Sequence, residues 1–150
     1  MTFPALTLPQ LFILPFFLHF GLVAGLYAWL TFERQVAMFK REVKASDFVN
    51  AGADPARSKR IARNLMNQFE LPVFALFAAL FLYLCGRIAM IDVAAAWLFL
   101  GGRVIHTVVQ TLTSNVPLRG VVFTINFAAV VVLMARAAHL VFFGGVTIPL

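Results

Sequence analysis

Four mostly apolar stretches, each long enough for a helix of about 20 residues across the bilayer, constrain this fold more than any other feature. They cover residues 8–32, 64–87, 93–112 and 121–143. Hydrophobic residues make up 62% of the 150 residues and charged residues only 12%, against about 45–50% and 25% in soluble domains. The sequence therefore predicts an all-α membrane protein with one domain, a four-transmembrane-helix bundle. It argues against a soluble domain, a disordered chain or, with a single cysteine, a disulfide scaffold.

The charged residues are concentrated in the connection between the first two stretches, residues 33–63. This connection holds eight of the twelve Lys and Arg and four of the six Asp and Glu. Because basic loops mark the cytoplasmic side, we expect this loop and the third-to-fourth turn to be cytoplasmic, with both termini opposite. Nucleic-acid binding is disfavoured, since acids are interspersed and no aromatic residues alternate with the basic ones. The first stretch lacks the basic start of a signal peptide, so we expect it to remain as a helix.

The second span begins with polar residues on one face of the predicted helix. Arg63, Asn67 and Glu70 are spaced i, i+4 and i+7, which places them on a common face. Pro72 removes a backbone donor, so we expect a kink beside this face. Ionisable groups inside a membrane are costly and are usually functional. The alternative is that Glu70 pairs with a basic residue only to assemble the helices.

The third and fourth spans carry a second set of polar residues. Arg103, His106 and Gln110 are spaced i, i+3 and i+7, and Arg119 begins the fourth span after a proline-containing turn. We expect these groups to form an anionic-ligand pocket on the cytoplasmic half, in which arginines meet carboxylates and Glu70 meets amines. The alternative for Arg119 is a snorkelling contact with lipid headgroups. No metal site is predicted, because no ligand set repeats at a suitable spacing.

Three further predictions concern residues outside this pocket. Arg136 and His139 lie near the end of the fourth span, where interfacial anchors are common. Residues 54–58, which begin with Asp54 and a proline, either cap the helix that becomes the second span or form a plain solvated connector. Cys85 stands alone among apolar residues and is predicted to be a packing residue.

Several of these short motifs resemble one family. Residues 63–72, Arg-Asn-Leu-Met-Asn-Gln-Phe-Glu-Leu-Pro, resemble the Asn-x-x-Glu signature of the membrane-associated proteins in eicosanoid and glutathione metabolism, with the proline spaced as in bacterial-type members. Arg103 and His106 resemble that family's Arg-x-x-His motif, and Asn115, Arg119 and the Phe123-Thr124 stretch resemble its turn and fourth helix. The resemblance covers roughly residues 60–138, and the first span matches in position and polarity.

The resemblance implies a homotrimer of four-helix subunits in the bacterial inner membrane. It implies glutathione as a co-substrate, held in a U shape between neighbouring subunits and open to the cytoplasm. Arg119 matches the catalytic arginine that stabilises the glutathione thiolate in family enzymes. The expected activity is that of a glutathione transferase or peroxidase acting on lipophilic electrophiles from the bilayer. The implied substrate-binding residues are Arg63, Asn67, Glu70, Arg103, His106 and Gln110.

The chain departs from the family pattern at two positions. Gln110 stands where well-studied catalytic members carry a tyrosine, and Gly120 stands where a prostaglandin synthase relative carries a serine. These departures favour a second hypothesis, a non-catalytic membrane protein of the same fold that binds a lipid or another ligand. A third hypothesis, a small four-helix exporter, is disfavoured because such transporters typically place a carboxylate in the first span, and residues 8–32 contain none.

Overall fold

The computed structural model describes residues 5–49 and 54–144, and the regular structure within those ranges is helical. The helices are α1 (Leu8–Phe39), a short 3-10 helix (Ala45–Val49), α2 (Ala56–Asn67), α3 (Leu71–Leu84), α4 (Met90–Leu112) and α5 (Val116–Phe143). Four segments of the described chain are long and apolar enough to cross a membrane: Leu8–Phe39, Ala56–Leu84, Met90–Leu112 and Val116–Phe143. The predicted all-α bundle of four membrane helices is confirmed.

The helices extend beyond the predicted spans into the first connection. α1 continues to Phe39, and α2 already begins at Ala56. A helix of 32 residues is about 48 Å long at 1.5 Å per residue, whereas the hydrocarbon core is about 30 Å thick. One end of α1 therefore emerges from the bilayer, and much of the basic connection is helical.

The second span is interrupted where the sequence predicts a kink. α2 ends at Asn67 and α3 begins at Leu71, and residues 68–70 between them form a turn that belongs to neither helix. Pro72 lies in the first turn of α3, where its missing N–H has no helical partner to lose. We call residues 68–70 the helix break. It separates the polar α2, which packs on α1 and α4, from the apolar α3, which packs mainly on α5.

Aromatic and alanine side chains form the main core between α1, α3, α4 and α5. The rings of Phe16 and Phe99 stack with their centroids 5.6 Å apart. Small residues let membrane helices approach closely, and the alanines of this core are Ala75, Ala78, Ala79, Ala95, Ala96, Ala129 and Ala137. A second apolar cluster packs Leu26 and Leu30 of α1 against Ile61 of α2. This cluster fixes α2 on the bundle, with its polar face free to meet α4.

The bundle has two unlike ends. The loop end is where α1 and α4 finish and α2 and α5 begin; the far end is where α4 begins and α3 and α5 finish. At the loop end, Arg34 donates from Nε and Nη2 to the two carboxylate oxygens of Asp54, each at 2.8 Å, and stacks over Phe48. These hydrogen bonds lower the pKa of the Asp54 carboxyl. Within the predicted capping segment, Pro55 is the N-cap of α2 and makes no side-chain capping bond, while Asp54 bonds to α1.

A buried ion pair lies at the far end. The Asp92 side chain is 0% exposed and accepts from Arg136 Nε at 3.0 Å and Nη2 at 3.3 Å. The backbone N–H of Ala89 also donates to Asp92, at 2.8 Å. Arg136, which the sequence predicts to be an interfacial anchor, neutralises this carboxylate.

Candidate ligand-binding site

A cavity of about 370 Å³ opens between α2, α4 and α5 near the loop end. It is lined by Arg63, Asn67, His106, Gln110, Val116, Arg119, Gly120 and Phe123. A second cavity of about 320 Å³ shares four of these residues and continues toward the loop end, past Lys59 and Arg60. Five of the seven predicted site residues therefore line one cavity, although they come from three helices and are up to 56 positions apart.

The start of α5 places Arg119 beside the cavity. Asn115 is the N-cap, and its Oδ1 accepts from the backbone N–H of Leu118 at 3.0 Å. This cap fixes the first turn, in which Val116 and Arg119 both line the cavity. Gly120 follows, and a Cβ there would meet nothing within 4 Å among the described atoms. The helix N-terminus adds a positive partial charge to that of the arginine.

The α4 wall presents two buried polar atoms without partners. His106 is 3% exposed and Gln110 is 6% exposed. Asn67 Nδ2 donates to Gln110 Oε1 at 2.9 Å, whereas His106 Nδ1 and Gln110 Nε2 have no hydrogen-bond partner among the described residues. A buried polar group without a partner costs about 1–3 kcal/mol. A ligand with polar groups at matching positions would remove that cost.

The cavity is positively charged. The three ion pairs found among the described residues involve neither Arg63 nor Arg119, and no described carboxylate lines either of the two cavities. Near the mouth, Arg60 Nη2 donates to Ser114 Oγ at 3.2 Å, which also leaves its charge uncompensated. Unpaired cations around an open cleft of this kind attract an anionic ligand.

Arg103 and Glu70, the other two predicted residues, do not line these cavities. Arg103 is 1% exposed; its Nε donates to Gln68 Oε1 and its Nη2 to the backbone carbonyl of Asn67, each at 2.9 Å. Glu70 is exposed at the helix break. The i+7 register predicted for Glu70 assumed a continuous helix. That register is wrong, because α2 ends at Asn67.

Sequence reasoning missed two residues beside this site. Gln68, at the helix break, is 2% exposed, and its Oε1 lies 3.0 Å from Nε2 of His19 in α1. The available signals were a lone histidine in an otherwise uncharged first span and the i, i+4 spacing of Asn64 and Gln68. Their side chains are joined by a 3.3 Å hydrogen bond.

Comparison with known protein families now identifies the chain. Residues 13–139 match the family model of the MAPEG family, nearly the whole length. The chain belongs to the MAPEG family. This MAPEG chain matches none of the curated proteins or solved structures with which it was compared.

Membership makes this MAPEG chain an integral, multi-pass membrane protein of a family whose function is related to glutathione. The four apolar helices agree with the four-helix architecture of MAPEG proteins. Within residues 5–49 and 54–144, no group of three or more His, Cys, Asp and Glu is arranged to hold a metal ion. The polar side chains that line the 370 Å³ cavity are two arginines, two amides and one imidazole.

Proposed function

We propose that this protein binds glutathione in the loop-end cavity and joins it through its sulfur to lipophilic electrophiles, or uses it to reduce lipophilic peroxides. The observation that carries the proposal is the combination in one cavity of two arginines outside any described ion pair with two buried polar atoms that lack partners. MAPEG membership supports glutathione as the ligand.

Glutathione suits the charge and size of this space. It is an anionic tripeptide with two carboxylates, and guanidinium groups bind carboxylates through two parallel hydrogen bonds. Arg63 and Arg119 supply such groups, while Gln110 and Asn67 supply amides for the peptide backbone of the ligand. The two adjoining cavities, about 370 and 320 Å³, lie in the size range of small-molecule sites.

Arg119 is the residue that we propose activates the thiol. A free thiol has a pKa near 8.5, so only a few per cent is ionised at neutral pH. A guanidinium beside the sulfur stabilises the thiolate and lowers that pKa, and the N-terminus of α5 acts in the same direction. In the transfer reaction the thiol proton leaves to water, sulfur bonds to the electrophilic carbon, and the leaving group departs with its bonding electrons.

The lipophilic substrate is proposed to arrive from the bilayer. An apolar molecule partitions into the hydrocarbon region, which raises its concentration beside the cavity. In the peroxide reaction two glutathione molecules are oxidised to the disulfide, while the peroxide is reduced to an alcohol and water. Both reactions use the same activated sulfur, so both depend on Arg119.

The proposal also covers the oligomeric state of the protein and its orientation in the membrane. We propose a homotrimer in the bacterial inner membrane, with the loop end cytoplasmic and glutathione held between neighbouring subunits. The loop end carries Lys59, Arg60, Arg63 and Arg119 around its cavities, and cytoplasmic ends of membrane proteins are enriched in Lys and Arg. Cytoplasmic glutathione would then reach the cavity directly.

A second candidate function is ligand binding without catalysis. No described hydroxyl group lines the deeper cavity, because glutamine occupies position 110 and glycine position 120. A binder of this kind would hold glutathione or a lipid without lowering the thiol pKa. Measurements of thiolate formation and turnover distinguish such a binder from the enzyme.

The test uses purified protein in detergent with glutathione and a chlorodinitrobenzene. The enzyme proposal predicts thiolate absorbance on mixing and conjugate formation above the uncatalysed rate. Glutathione binding with neither signal would support the non-catalytic binder instead. No binding at all would contradict both functions.

A further inference from the structure

A buried amide joins three helices at the helix break. Gln68 Oε1 accepts from Arg103 Nε at 2.9 Å and lies 3.0 Å from His19 Nε2. Its Nε2 donates to Thr107 Oγ1 at 3.2 Å and to Asn64 Oδ1 at 3.3 Å. The carboxamide is therefore held from α1, α2 and α4 at once, so its position is fixed by the bundle.

Arg103 also closes the end of α2. The backbone carbonyl of Asn67, the last residue of α2, accepts from Arg103 Nη2 at 2.9 Å. The final carbonyls of a helix have no intrahelical donor, and an unsatisfied carbonyl inside a membrane is costly. Arg103 thus fixes the backbone of Asn67 as well as the side chain of Gln68.

These contacts determine what the cavity wall presents. The side chain of Asn67 donates to Gln110 Oε1 at 2.9 Å, and this bond directs Gln110 Nε2 away from Asn67. Nε2 is left buried and without a described partner. A shift of the Asn67 backbone would therefore reorient the donor that Gln110 offers to a ligand.

We infer that Gln68 and Arg103 are positioning residues of the loop-end cavity, which hold the helix break so that Asn67 keeps the Gln110 amide in place in the cavity wall. Neither needs to touch the ligand of that cavity, since both act through Asn67. The identification of that ligand as glutathione rests on the proposed function. The competing explanation is that this network only stabilises the bundle.

Asn126 provides a matched control for bundle stability. It is a buried amide, 0% exposed, whose Nδ2 donates to the backbone carbonyl of Phe99 at 2.8 Å. It lines neither loop-end cavity. Asn126→Leu therefore removes a buried amide hydrogen bond from α5 without changing the contacts of Asn67.

The experiment compares Gln68→Met, Gln68→Glu and Asn126→Leu by calorimetric titration with glutathione and by thermal unfolding. Gln68→Met removes every hydrogen bond of the amide, and we expect glutathione binding to weaken about tenfold. Gln68→Glu keeps oxygens for Arg103 and His19, and we expect it to restore binding to within about threefold of wild type. Asn126→Leu should lower Tm while leaving the Kd within about twofold.

A lowered Tm with an unchanged Kd in Gln68→Met would overturn the inference. If that variant does not fold, Thr107→Val removes one contact of the amide; about threefold weaker binding is expected, and unchanged binding overturns the inference. If wild type binds no glutathione, the proposed function fails, and amide hydrogen exchange of residues 67–71 becomes the test of the inference. Exchange should then be faster in Gln68→Met than in Asn126→Leu, and equal exchange would overturn it.

Discussion

The two ends of the bundle use arginine in opposite ways. At the far end, the guanidinium of Arg136 is bonded twice to the buried carboxylate of Asp92. At the loop end, Arg63 and Arg119 border a cavity without a described carboxylate in its lining. A charge inside a membrane protein is retained where it is paired or where it acts on something. The far end shows the paired case, and our proposal is that the unpaired arginines of the loop end meet an anionic ligand.

The largest expected effect is at the far end, where Arg136 pairs with Asp92. Asp92→Asn would leave the partly exposed Arg136 without its counter-ion, and the loss of two charge-assisted hydrogen bonds should cost about 2–3 kcal/mol. Thermal unfolding in detergent would measure this loss, while the Kd for glutathione should stay unchanged. The double variant Asp92→Leu with Arg136→Met should recover much of the stability, because neither charge is then left alone. A variant Asp92→Asn as stable as wild type would contradict the pairing.

The next largest effect is expected at the loop end, where Arg119 borders the cavity. Arg119→Ala should abolish thiolate formation and slow turnover about 30-fold, the equivalent of about 2 kcal/mol, because a hydrogen bond to a charged group is lost. Its Tm should change little, since no described ion pair is broken. Arg87→Ala, at the far end, is the matched control and should keep both signals. Wild-type thiolate absorbance in Arg119→Ala would show that another group activates the sulfur.

A smaller effect is expected for the neutral donor of the cavity. Gln110→Leu removes the buried Nε2, and glutathione should bind about fivefold more weakly, close to the worth of one neutral hydrogen bond. Thr111→Val is the control, because Thr111 is buried one residue further along α4 and bonds only the carbonyl of Thr107. Calorimetry on both variants provides the measurement. An equal loss of glutathione affinity in the two variants would mean that Gln110 stabilises α4 and does not contact the ligand.

The smallest effect concerns the connection at the loop end. The hydrogen bonds from Arg34 lower the pKa of Asp54 below its ordinary value of 3.8. Their stabilisation is therefore fully present above that value and is lost as pH falls through the lowered pKa. Because the pair is partly exposed, the loss should be about 0.5 kcal/mol. In wild type, proteolysis of residues 40–49 should accelerate once the pH falls below the lowered pKa of Asp54. In Asp54→Asn, the same segment should already be cleaved faster than in wild type at neutral pH.

The fold was predictable because hydrophobicity alone identifies membrane spans. The cavity was predictable in part: Asn67 on α2 and His106 and Gln110 on α4 fall on regular helix faces that line the same cavity. The positions of Glu70 and Arg103 were not predictable in this way. The i+7 spacing of Glu70 loses its meaning once the helix stops at Asn67.

The helix break also explains why Gln68 was overlooked. In a continuous helix Gln68 lies about 100° from Asn67 and off the predicted polar face. The structural role of Gln68 depends on partners that are distant in sequence, namely His19 in α1 and Arg103 in α4. Such contacts arise from how the helices pack, and no local spacing in the sequence encodes them.

The most direct test of the central claim is a calorimetric titration of glutathione into three purified proteins. They are wild type, the loop-end double variant Arg63→Gln with Arg119→Gln, and the far-end double variant Arg87→Gln with His139→Gln. The unpaired-arginine account predicts binding to wild type, a loss of at least about tenfold in the loop-end variant and a change of under about twofold in the far-end variant. Equal affinity in all three proteins, or no binding to wild type, would contradict it.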